Sequence, residues 1–247
     1  TAPARGWNGV TMRVLLVGAG RAGTSLLGAL SGVGHDVTLR HHDDLLDATG
    51  FDLVVLCVPD DAIASVAATI PAGDFVLAHV AGSRDTRVLA PHVRTATMHP
   101  LCVLGDAMAG ATRLVGATWA VSGDVLVRDI VTSLSGRTVS VSDADRARYH
   151  ATATVAANHL TALFAHVGEL AAAAGLSHED FVGLARQALD DVAAKGPAAA
   201  LTGPAARGDL ATIDAHLAAI PESERALYVA LSQRAFELAE SRARSAR

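Results

Sequence analysis

The chain reads as a doubly wound parallel α/β sheet followed by an all-helical domain. Three observations predict this. Short apolar runs alternate with segments of helical period up to about residue 142, and a glycine-rich turn joins the first run to the first helix. Past Asp143 the β-branched runs stop, and Ala-rich helical periodicity continues to the C-terminus. The domains are therefore expected at 1–142 and 143–247, with 1–11 a loose extension before the fold begins at Met12.

The elements follow in order. "MRVLLVG" (12–18) suits a strand buried on both faces of a parallel sheet, and "TSLLGALSGVG" (24–34) is helical, with Gly34 placed as its stop. "DVTLR" (36–40) and "FDLVVLCVP" (51–59) are the next strands, the latter closed by Pro59. "DDAIASVAATI" returns as a helix. "DFVLAHV" (74–80), "RTATMHP" (94–100), "TWAVSG" (118–123) and "RTVSVS" (137–142) complete seven expected strands. The later helical periodicity breaks at Gly175, at residues 195–209 and at Pro221.

Composition excludes several classes. With 51% hydrophobic and 18% charged residues the 247-residue chain is globular, not disordered. A formal net charge of −5 argues against nucleic acid, and the basic "SRARSAR" end reads as a frayed tail. No run of apolar residues is long enough to span a membrane. Cys57 and Cys102 have no metal-ligand or redox spacing and read as free thiols in a reducing, cytoplasmic setting. His159, His166, His178 and His216 show no ligand pattern, so no metal is expected.

"VGAGRAG" carries the chemistry. Gly18 makes the tight turn, Gly20 lets a pyrophosphate approach the backbone, and Gly23 lets helix and strand pack closely. Arg21 and Ala22 open the helix, whose free N–H groups favour phosphate. A lone motif of this kind is weak, but this one follows a strand and opens a helix within a βαβ series. Val58 and Pro59, closing the third strand, are assigned to the same cofactor loop. Where an acidic residue would bind the adenine ribose, the second strand ends instead in Arg40. A guanidinium there pairs with a 2′-phosphate; otherwise Asp43 takes the ribose and Arg40 is a surface residue. The first reading is favoured, and it makes the cofactor NADPH.

Further along, "YHATATVAANHL" raises a separate question. At 100° per residue His150, Thr154, Asn158 and Thr161 share one narrow arc of an otherwise apolar helix. Such a stripe is either a solvated face or the lining of a site.

The combination of "VGAGRAG", "VPDDAI", "MHPL", "YHATATVAANHL" and "ALTGPAARGD" resembles a family of Rossmann-like oxidoreductases whose helical C-terminal domain is of unknown function. That family is similar to ketopantoate reductases, pyrroline-5-carboxylate reductases and β-hydroxyacid dehydrogenases, with a 6-phosphogluconate-dehydrogenase-like fold. The resemblance implies NADP-linked reduction of a small oxo acid or imine in the interdomain cleft, and a homodimer packed through the helical domain. In the related reductases a Lys on the first helix of the second domain donates the proton, with an Asn four residues later. Asn158 fits that Asn, and the Lys position falls on Thr154. His150, one turn earlier, is the candidate replacement acid. His99 stands where imine reductases line the nicotinamide, and His79 and Ser83 lie at another strand tip. Thr202 and Arg207 are candidate holders of a substrate carboxylate; alternatively Asp209 caps the following helix and Arg207 braces it. The leading expectation is a ketopantoate-like 2-oxo acid reductase. Imine reduction, a silent NADP sensor and hydride exchange with a deazaflavin are the alternatives.

Overall fold

The computed structural model describes residues 9–245. Most of the expected N-terminal extension and the last two residues of the basic tail lie outside them. Seven strands form one sheet: β1 (Arg13–Val17), β2 (Asp36–Arg40), β3 (Leu53–Leu56), β4 (Val76–His79), β5 (Thr95–Pro100), β6 (Thr118–Gly123) and β7 (Arg137–Ser140). Their order across the sheet is β2-β1-β3-β4-β5-β6-β7. The strands fall where the apolar runs place them. β1 to β5 are parallel, while β6 pairs antiparallel with β5 and β7 parallel with β6. The last two strands thus run opposite to the rest. The helix between β5 and β6, α3 (Ala107–Leu114), packs against α1 (Arg21–Gly32), and its chain re-enters the sheet from the edge it left, with Pro100 opposite Trp119.

Both faces of the sheet are buried, as period-two alternation in apolar runs requires. One face packs Val14, Leu16, Leu53, Val55, Met98 and Trp119 against α1, α3 and α4 (Leu126–Ser133). The other packs Leu15, Val17, Val54, Leu56 and Leu77 against α2 (Ile63–Thr69) and a short turn at Thr86–Leu89. Each fully buried Leu or Val there contributes roughly 1.5–3 kcal/mol relative to exposure. α1 leads back to β2 on one side of β1, whereas β3 lies on its other side, so the direction of winding switches between β1 and β3.

After β7 the chain is helical: α5 (Arg146–Thr154), one π turn (Val155–His159), α6 (Leu160–Ala173), α7 (Glu179–Lys195), α8 (Pro197–Ala200), α9 (Gly203–Arg207), α10 (Leu210–Ala219) and α11 (Glu222–Ser245). The described residues divide into two compact units, one ending at Ala157 and the other beginning at Asn158. α5, expected in the helical domain, is therefore part of the first unit. In the second unit His166 Nδ1 pairs with Glu224 at 2.5 Å, tying α6 to α11. Among the described residues no helix is long and apolar enough to cross a membrane.

Candidate active site

The glycine turn is built as its sequence demands at two positions and is open at the third. Gly18 has φ of 115° and donates its N–H to Arg40 O at 2.9 Å. A Cβ at Gly18 would lie 2.6 Å from Cys57 O, and one at Gly23 would lie 1.9 Å from Gly18 O. A Cβ at Gly20 would meet nothing within 4 Å. Gly20 is extended and caps α1 without a side-chain bond, and no acidic residue occupies the first turn. The first N–H groups of a helix have no partner inside it, so Arg21, Ala22 and Gly23 present donors and a positive dipole end beside an open approach. These residues fit a dinucleotide pyrophosphate. Val58 is buried and packs against the turn, Pro59 is exposed, and Arg40 is exposed at the tip of β2. His41 Nδ1 and His42 Nε2 lie 3.2 and 3.4 Å from the two Asp43 oxygens just beyond.

The same sheet edge carries a cluster of polar side chains. In register, Val17 pairs with Leu56, Leu56 with His79, and His79 with Thr97, so β1, β3 and β4 end level and His99 stands two residues beyond. His79 is fully buried. Its Nδ1 accepts from Ala81 N–H at 3.2 Å, leaving Nε2–H to donate to Asp85 O at 3.1 Å. Burial pulls its pKa below the usual imidazole range, and the nearby Arg146 charge adds to this. Ser83, in the loop that follows, donates to the Asp60 carboxylate.

α5 delivers the rest. Arg146, Tyr149 and His150 share one helical face. Tyr149 OH and His99 Nδ1 are 2.6 Å apart, and the His150 ring lies edge-on to His99 with centroids 6.1 Å apart. Gly82 separates the two imidazoles: a Cβ there would be 2.8 Å from His150 Cδ2 and 2.9 Å from His99 Cε1. Burial, reinforced by His150 and then Arg146, pushes His99 down to about 4, and burial pushes the Tyr149 phenol up to about 12. Both groups are therefore neutral across the ordinary pH range. Arg146 is 2% exposed and donates from Nη2 to Thr97 Oγ1 and, at 2.8 Å, to Ser122 Oγ. Its Nε and Nη1 have no hydrogen-bond partner among the described residues, and Asp143 stands off at 4.0 Å.

The sequence candidates are distributed unevenly. His99 and His150 come together. Thr154 is half-buried at the end of α5. Asn158 lies in the π turn and is exposed. A π turn inserts a residue into the helical repeat, so the 100° wheel that aligned His150, Thr154, Asn158 and Thr161 does not hold across it. Thr202 is exposed, and its side chain makes no capping bond to α9. Arg207 lies 3.7 Å from Asp209, which caps α10 by accepting from Thr212 N–H at 3.1 Å. Tyr149 and Arg146 belong to the cluster without being among the sequence candidates. A signal for both existed: Thr95, Thr97 and His99 alternate with apolar residues in β5, marking a polar strand face that needs polar partners.

Comparison with known proteins bears on the fold. Residues 119–235 match the family model described as domain of unknown function DUF2520. No curated protein matches the chain. Among solved structures, a Bacteroides fragilis protein provisionally named an NADP oxidoreductase superposes with a TM-score of 0.72 at 21% identity, over 92% of this chain and 98% of that one. A reductive aminase from Aspergillus terreus in complex with NADPH and ethyl levulinate does so with 0.66 at 17% identity, covering 96% and 100%. The Plasmodium falciparum pyrroline carboxylate reductase with NADP bound gives 0.62 at 13% identity, covering 94% and 97%. The chain has the fold of these Rossmann-like proteins, a mostly parallel sheet with a helical C-terminal part.

Proposed function

We propose that the protein is an NADPH-dependent reductase of a small carbonyl or imine compound. One observation carries the reading: the uncapped start of α1, open at Gly20, and the cluster of His79, His99, Tyr149 and His150 stand on the same carboxyl edge of the sheet. Ligands of doubly wound sheets bind outside that edge, at the switch of winding. The N–H groups of Arg21, Ala22 and Gly23 would hold the pyrophosphate, and Arg40 the 2′-phosphate. When bound, NADPH supplies a hydride to the acceptor carbon. The chain's own residues must then place a proton on the atom that gains the electron pair. Structures of this fold are known with NADP or NADPH, which supports that cofactor.

For the acceptor, a ketopantoate-like 2-oxo acid is the first reading. An imine is the second, supported by the fold shared with a reductive aminase and a pyrroline carboxylate reductase. Thr154, Asn158, Thr202 and Arg207 enter as acceptor-holding groups on the strength of their sequence motifs alone. A homodimer joined through the helical unit belongs to the same proposal: α7 buries none of its residues within one chain.

The test is oxidation of NADPH by the purified protein with ketopantoate or pyrroline-5-carboxylate, and NADH run in parallel. Turnover with either acceptor is expected. Arg40→Ala should weaken NADPH by about tenfold or more and leave NADH unchanged, the mark of a lost charge-assisted phosphate contact. NADPH binding without turnover of either acceptor would replace the reductase with a cofactor-binding sensor.

A further inference from the structure

Resting on the reductase reading, we infer that Tyr149 is the source of the transferred proton, that His99 passes it to the acceptor, and that buried Arg146 stabilises the phenolate left behind. Three observations converge. The phenol and His99 Nδ1 are 2.6 Å apart, and among the described residues neither has another hydrogen-bond partner at those atoms. Of a neutral phenol and a neutral imidazole, the phenol is the stronger acid and the bare ring nitrogen the stronger acceptor, so the O–H points at Nδ1. His99 then carries its proton on Nε2. That atom lies beside Gly82, where an added Cβ would come to 3.0 Å from it, and the His99 side chain is half-buried.

The third observation is Arg146. A buried guanidinium without a carboxylate in hydrogen-bond contact is costly. Here its Nη2 is spent on two hydroxyls that already bond each other at 3.0 Å, and two of its nitrogens lack partners. It stands one helical turn before Tyr149, and each side chain favours the charged form of the other. A cation placed there has little to do for the resting pair. It does have a role when a phenolate forms.

The step balances as follows. As the acceptor's C=O or C=N electron pair moves onto oxygen or nitrogen, that atom bonds the proton of His99 Nε2–H, and the N–H bond breaks. Nδ1 takes the phenol proton, the O–H electron pair stays on Tyr149 oxygen, and the ring returns to neutrality as the other tautomer. Water from solvent later restores the phenol proton, and the ring tautomer resets. Charged and titratable groups facing the pair are His150 and Arg146 on α5, His79 on β4, and Asp60 beyond β3.

The test has an arm that needs no turnover. Long-range proton–nitrogen NMR of the intact protein, with the His99 signals identified by their loss in His99→Gln, reports which ring nitrogen carries the proton. Protonation at Nε2, converting to a tautomer mixture in Tyr149→Phe, is expected. Protonation of wild-type His99 at Nδ1 would overturn the proposal, whatever the enzyme reduces. The kinetic arm uses NADPH with whichever of ketopantoate or pyrroline-5-carboxylate turns over. Tyr149→Phe should lower kcat by roughly 10²–10⁴-fold with the KM for NADPH unchanged, and Arg146→Met should lower kcat while its Lys counterpart retains more of it. The kcat profile should stay flat through the usual imidazole range. A larger loss in His150→Ala than in Tyr149→Phe, or a rate falling as pH rises through about 6.5, would transfer the role to a histidine cation. If neither acceptor turns over, the reductase reading fails on its own, and the tautomer still decides the geometry of the pair.

Discussion

Gly20 and Gly23 lie one helical turn apart and would respond to the same substitution in opposite ways. At Gly23 an added methyl would overlap the Gly18 carbonyl at 1.9 Å, so the turn and the start of α1 must separate. At Gly20 the methyl meets no protein atom within 4 Å, and the extended backbone accepts alanine. Gly23→Ala is therefore expected to destabilise the fold by about 1–3 kcal/mol, the usual cost of overpacking. Gly20→Ala should hold its melting temperature and instead weaken NADPH, because the methyl occupies the approach to the helix N-terminus. Thermal melts and a cofactor titration on both variants check this, and a Gly20→Ala protein that binds NADPH normally would remove the pyrophosphate from this loop. The motif's existence was legible in the sequence. So was the assignment of open approach to Gly20 and close packing to Gly23; the opposing atoms were not, since Cys57 O meets Gly18 and Gly18 O meets Gly23 only once the strands and helix pack.

The strand ends and the first helix after the sheet are the elements that make the candidate site. β4 ends on buried His79 and β5 carries half-buried His99 one residue before its end, both kept neutral chiefly by desolvation. A folded-state pKa below the unfolded one means that the unfolded chain binds more protons between the two values. The stability these groups contribute is therefore present above about 6.5 and is lost as pH falls toward the His99 value of about 4. Urea unfolding at pH 7.5 and pH 5 should show lower stability at the acid value, and His99→Gln should reduce the difference. Equal stability at both pH values would show that these rings are solvated. The carboxylates held low by hydrogen bonds, such as Asp85, titrate in a separate window below their ordinary range. His99 and His150 are legible in the sequence by position and residue type. Tyr149 and Arg146 are not, because a uniform helical wheel aligns His150 with Asn158 and Thr161 instead. The face that meets β5 runs the other way, from Arg146 to His150, and the π turn follows at Val155–His159.

For the whole molecule, the helical unit exposes a run of apolar side chains that one chain does not cover. Leu184 is 65% exposed and Leu189 51%, and a groove between α6 and α7 is lined by Phe164, Val167, Phe181 and Leu184. Sedimentation velocity of the purified protein should give the mass of two chains, and the Leu184→Glu, Leu189→Glu double variant should give one. A single-chain mass for the unaltered protein, with NADPH still bound, would discard the dimer. The sequence by itself determined the alternation of seven strands with helices, the glycine turn, and the change to an all-helical second half. Each of these is written in local periodicity and in backbone demands that a few neighbouring residues express. Only the tertiary structure decided that β6 and β7 run opposite to the rest, that α5 joins the sheet unit, and that Tyr149 meets His99. These depend on which distant surfaces bury each other. His99 and Tyr149 are 50 residues apart in the chain, a separation that no periodicity spans.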